Sequence, residues 1–132
     1  MATIEFTSHP LEFKKPARTS RDTLKSKPSF FLSIEDDGGR KGTGECSLIP
    51  GLSLESEKDA REALEQLTKL DTLNLGSIPH SLPAVKFAVE TALMDFNRQG
   101  TSTWIEGIPV NGLVWMEDAE GMLKQVDVLI EN

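Results

Sequence analysis

Residues 42–53 read GTGECSLIPGLS, and their types invite three kinds of chemistry. Gly42 and Gly44 could cradle a phosphate, Cys46 could act as a nucleophile, and Glu45 could move a proton. Each role needs partners. A dinucleotide fingerprint requires a third glycine and a helix directly after it, and a phosphate loop requires a lysine followed by a hydroxyl residue. Neither pattern follows Gly44. A cysteine nucleophile needs an activating histidine, and the chain has only His9 and His80. Cys46 therefore reads as a small buried hydrophobe, and Glu45 as a structurally paired carboxylate. The two glycines read as points where a strand bends or another backbone comes close. Nothing in the spacing of the histidines and acids makes a metal site.

A second chemical feature is charge. The 132 residues carry a formal net charge of -7, which excludes a general nucleic-acid footprint and a general attraction to anionic membranes. Yet Lys14, Lys15, Arg18, Arg21, Lys25 and Lys27 stand together with only Asp22 against them. That stretch is about +5 and the rest about -12 by formal charge. It is either a local anion site or a solvated basic loop. No apolar run is long enough to span a bilayer, and MATIEFTSHP lacks the features of a signal peptide. One cysteine allows no internal disulfide, so a cytoplasmic location is expected.

The elements that must position these residues follow from periodicity. Residues 2–13 mix β-branched and aromatic residues with polar ones, as a half-buried strand does, with Pro10 marking an edge or a bulge. The stretch KKPARTSRDTLKSKPS reads as a loop, FFLSIED from Ser29 as a second strand, DDGG as a tight turn, and residues 40–48 as a third strand. Ser56 with Glu57 and Asp59 opens a helix marked by Ala60, Leu64, Leu67 and Leu70. A second helix is capped by Ser81, starts near Pro83 and ends at Gly100. It has so little polar surface that it should lie between two layers. Residues 108–116, IPVNGLVWM, read as a strand covered on both faces, and Asp118 caps a last helix with Met122, Leu123, Val126, Leu129 and Ile130 on one face. Trp104 and Trp115 read as core residues. The fold class is α+β: a three-stranded antiparallel meander, a helical subdomain, and one strand–helix unit. Such a unit calls for a following parallel strand, so a longer protein is expected.

The TSR of the first loop, the strand ending GxGECxxIPGLS, the helix segment FAxExALxD (Phe87 to Asp95) and the PVNGLVWM run, in that order, resemble the enolase superfamily. Within it they are most similar to the o-succinylbenzoate synthases, lyases of bacterial menaquinone biosynthesis. The resemblance implies an N-terminal capping domain over residues 1–105. It also implies that 106–132 are the first strand and helix of a (β/α)7β barrel, a TIM-type fold. The family dehydrates a cyclohexadiene carboxylate bearing a succinyl group, with a lysine base and Mg²⁺ on later barrel strands, so this chain alone should bind no catalytic metal and turn over no substrate. Two cap loops would close over the barrel mouth, here residues 16–28 and 48–53. Thr19, Ser20 and Arg21 match the TSR, with Arg21 the anion contact for a small dicarboxylate substrate. Ile49, Pro50, Gly51 and Leu52 would form an apolar wall, and Asn111 would face the pocket. Dipeptide epimerases, muconate-type cycloisomerases and a stand-alone module binding an acidic partner are the alternatives. An uncovered 108–116 segment would expose apolar surface and favour self-association.

Overall fold

The computed structural model describes residues 2–18, 22–98, 109 and 111–131. They fall into two compact units, drawn from Met1–Leu11 with Lys27–Gly100, and from Glu12–Ser26 with Thr101–Asn132.

The first unit is a three-stranded antiparallel sheet with two helices. Strands β1 (Ala2–Ser8), β4 (Ser29–Asp36) and β5 (Lys41–Ser47) lie in the order β1-β4-β5. The expected meander is present, with β2 (Leu11–Arg18) and β3 (Thr23–Lys27) inserted after its first strand. Register places Ile4 opposite Ile34 and Phe6 opposite Leu32 on one side of β4, and Gly44 opposite Leu32 and Gly42 opposite Ile34 on the other. Alternation along β4 sends Phe30, Leu32 and Ile34 into the core, each almost fully buried. The β4–β5 turn closes on Asp36: its carboxylate accepts from Gly38 N at 3.0 Å and Arg40 N at 2.9 Å, and Gly39 takes φ of 80°. These backbone donors, the Arg40 N–H first, hold the Asp36 carboxyl below its usual value.

Helix α1 (Glu57–Leu67) begins as expected. Asp59 N donates to Ser56 Oγ at 3.2 Å while Ser56 N donates to Asp59 Oδ2 at 3.2 Å, a capping box. Ala60, Leu64 and Leu67 are its buried face, whereas Leu70 lies beyond the helix end and is exposed.

Helix α2 (Pro83–Asn97) lies on β5 through Val85, Ala88, Val89 and Ala92. The approach is close enough to require glycine on the strand. A Cβ at Gly44 would collide with Ala88 O, and one at Gly42 with Ala92 O and Phe96 N. Asp95 Oδ2 accepts the outward Thr43 N–H at 2.9 Å, so the helix also covers the open edge of the strand. The two-layer expectation for α2 needs correction: Phe87 and Met94, on the face away from the sheet, are exposed. The cap is also different, because Leu82 rather than Ser81 holds that position and makes no side-chain cap hydrogen bond. Gly100 and Trp104 lie outside the described residues.

The second unit contains a finding that the sequence reading missed. Residues 14–28 are not a plain loop: β2 (Leu11–Arg18) and β3 (Thr23–Lys27) form a two-stranded sheet. The stretch expected as one strand over 2–13 breaks at His9–Pro10, where the chain leaves β1 for β2. A two-stranded sheet is all edge, so it tolerates both its lysines and Pro16. Residues 111–116, expected to belong to a strand, have no regular structure. Strands persist through ladders to neighbours, and among the described residues none pairs with this segment. Helix α3 (Ala119–Glu131) does start under Asp118, whose carboxylate accepts from Gly121 N at 2.9 Å.

Candidate substrate-facing loops

In the first unit, the segment leaving β5 forms a braced loop. Leu52 N and Ser53 N both donate to Ile49 O, at 3.0 and 2.9 Å, and Ile49 N donates to Ser53 Oγ at 2.8 Å. Gly51 turns the chain with φ of 77°, a region that side-chain-bearing residues rarely adopt. Four expected wall residues, Ile49, Pro50, Gly51 and Leu52, thus sit together in one tight turn. Ile49 is 40% exposed and Leu52 58%, while Leu48 just before them is anchored in the core. A cavity of about 320 Å³ lies against the turn, lined by Pro28, Leu48, Ile49, Pro50 and Ser53 among others.

A polar chain holds the entry to this turn. Lys27 Nζ donates to Ser47 Oγ at 2.5 Å, Ser47 and Ser29 hydroxyls lie 3.1 Å apart, and Ser29 Oγ donates to Glu45 Oε1 at 3.1 Å. This gives Glu45 the structural partner that its sequence context suggests. Cys46 is fully buried, and burial, followed by the negative charges of Glu55 and Glu45, pushes its thiol from 9.0 up to about 12. A thiol so held stays protonated near neutrality and is a poor nucleophile. His9 rests against the Phe31 ring at a centroid distance of 5.6 Å.

In the second unit, the β2–β3 sheet and residues 115–118 share a groove of about 520 Å³. Trp115 is its centrepiece. Its indole Nε1 donates to Pro16 O at 3.2 Å, its ring tilts against Phe13 at 6.1 Å, and its backbone is gripped by Gln125, which accepts from Trp115 N at 2.6 Å. Lys15 Nζ donates to Glu117 Oε1 at 2.7 Å, and this contact holds the Glu117 carboxyl below its usual value. Arg18 and Lys25 also line the groove, with no carboxylate paired to either among the described residues. The basic segment is therefore divided: Lys15 and Lys27 are engaged in contacts, while Arg18 and Lys25 line the groove. Asn111 is exposed in this unit. Thr19, Ser20 and Arg21 lie outside the described residues.

Sequence reasoning missed the roles of Trp115, Gln125 and Glu55, because each acts on residues distant in the chain. The Mg²⁺ that the resemblance implies finds no ligand set here: among the described residues, no three His, Cys, Asp or Glu side chains cluster to hold a metal. No helix among them is long and apolar enough to cross a membrane.

No family model matches the chain. An o-succinylbenzoate synthase of Desulfotalea psychrophila is 32% identical to it, over 94% of this chain and 45% of that protein. The chain spans less than half the length of the curated relatives it matches. Among solved structures, MenC from Desulfotalea psychrophila superposes with a TM-score of 0.72 at 28% identity, covering 98% of this chain and 46% of that one. The o-succinylbenzoate synthase of Thermosynechococcus elongatus, solved with Mg in its active site, gives 0.66 at 25% identity over 74% of this chain and 31% of that one. A dipeptide epimerase of Cytophaga hutchinsonii, solved with Mg and D-Ala-L-Val, gives 0.77 at 22% identity over 98% of this chain and 41% of that one. In sequence and in fold, the chain is an enolase-superfamily relative of the o-succinylbenzoate synthases.

Proposed function

We propose that this chain is the capping part of an o-succinylbenzoate synthase, a carbon–oxygen lyase, with residues 1–105 as the capping domain whose loops shape the substrate pocket of a barrel. The observation that carries this reading is the 32% identity to the Desulfotalea enzyme, sustained over 94% of the chain. The base and the Mg²⁺ ligands are assigned to the length of the relatives that this chain does not span. No step here depends on the metal.

The chain's own contribution is binding and exclusion of water. Ile49, Pro50, Gly51 and Leu52 form an apolar wall whose turn is braced before substrate arrives, so little ordering entropy is spent on binding. Thr19, Ser20 and Arg21 contact a small dicarboxylate, and Arg18 and Lys25 add cationic charge from the β2–β3 sheet. Asn111 supplies a further polar contact.

The test is to express the gene's full reading frame and assay dehydration of the succinyl-substituted cyclohexadiene carboxylate. Formation of o-succinylbenzoate that chelators abolish is the expected result. Epimerisation of dipeptides without dehydration would replace this reading with the epimerase one, which the TM-score of 0.77 to the Cytophaga enzyme keeps in view. Substituting Arg21→Ala should raise KM about tenfold or more, the loss of one charge-assisted hydrogen bond.

A further inference from the structure

We propose that Glu55 is a positioning residue that fixes the exit of the 48–54 turn to the start of helix α2, and so sets where the apolar wall stands. Glu55 is only 5% exposed, a rare state for a carboxylate. Its Oε1 accepts from Ala84 N at 2.6 Å and from Val85 N at 3.3 Å. Those are two of the orphan donors at a helix start. Pro83, the first helical residue, has no N–H to satisfy, and Leu82 at the cap position makes no side-chain cap hydrogen bond. Glu55 therefore does the work of the missing cap from 29 residues away in sequence. It also places negative charge at the positive end of the helix dipole.

The anchorage continues beyond this contact. Helix α2 is seated on β5 by the close approach at Gly42 and Gly44, so its first turn is a fixed reference point. The turn is held at its entry by Ser47, which accepts from Lys27, and at its exit by Glu55. The second carboxylate oxygen of Glu55 is buried without a hydrogen-bond partner among the described residues.

The consequence for substrate rests on the capping reading above, but the anchorage is tested without it. Hydrogen exchange of the chain itself is compared for wild type, Glu55→Gln and Glu55→Leu. In wild type, the Ala84 and Val85 amides should be protected along with Ile49, Leu52 and Ser53. Glu55→Gln keeps an acceptor and should preserve that pattern. Glu55→Leu should speed exchange of the five amides about tenfold or more while those of Leu32 and Gly44 stay as slow as before. Unprotected Ala84 and Val85 in wild type would overturn the proposal even if Glu55→Leu fails to fold. Equal protection of the turn in wild type and Glu55→Leu would overturn it as well. Neither outcome depends on turnover, so failure of the dehydration assay leaves this inference standing.

Discussion

Gly44 and Cys46 sit two residues apart on β5 and face opposite demands. At Gly44 the space for a Cβ is occupied by the α2 backbone at Ala88, so Gly44→Ala must push the helix off the strand. A loss of about 1–3 kcal/mol is expected, typical of overpacking, and thermal or urea unfolding will measure it. At Cys46 the demand is for a neutral group. Its folded value of about 12 lies above the unfolded 9.0, so the stability it contributes is complete below pH 9 and is lost as pH rises toward 12. The melting temperature should therefore decline between pH 9 and 11 less steeply in Cys46→Ala than in wild type. A thiol reagent at neutral pH should label Cys46 only after denaturation. Both residues carried candidate chemistry in the sequence, and both are structural. The missing histidine partner was readable from the sequence; the helix backbone over Gly44 was not, because no local pattern records which element lands on a strand.

The helices show the same division at the scale of elements. The start of α1 was legible, since Ser56 and Asp59 are three residues apart and form their box locally. Ser56→Ala should cost about 1 kcal/mol, read from chemical denaturation. The Asp59 carboxyl is held below its usual value by the Ser56 hydroxyl and backbone N–H, and Asp36 by its own turn. For a carboxyl with a lowered folded value, stability is complete above the unfolded value near 3.8 and fades as pH falls through the lower one. Melting temperature between pH 5 and pH 2 should therefore fall less in an Asp59→Asn variant than in wild type. The start of α2 at Pro83 was legible too, but its cap was not, because the cap comes from Glu55 across the fold. Likewise, the β2–β3 sheet was hidden behind lysines and Pro16, residues that argue against a central strand but are compatible with an edge.

For the molecule as a whole, exposed apolar side chains among the described residues are densest on α3. Leu123 is 65% exposed and Ile130 77%, and Leu113 is exposed nearby in sequence. Such a face drives association in water. Sedimentation should show concentration-dependent self-association of this chain, weakened in a Leu123→Glu, Ile130→Glu variant; a monomer at every concentration would refute it. The sequence by itself determined the α+β class, the alternation that buries Phe30, Leu32 and Ile34, the helix periods, and the ordered motifs that carry the family resemblance. These are local or linear properties, set by side-chain type and spacing. Only the tertiary structure decided that Gly42 and Gly44 seat a helix, that Glu55 caps α2, and that Trp115 joins Pro16 and Phe13. Each of those depends on which distant backbone arrives at a residue, and that is settled when the whole core packs.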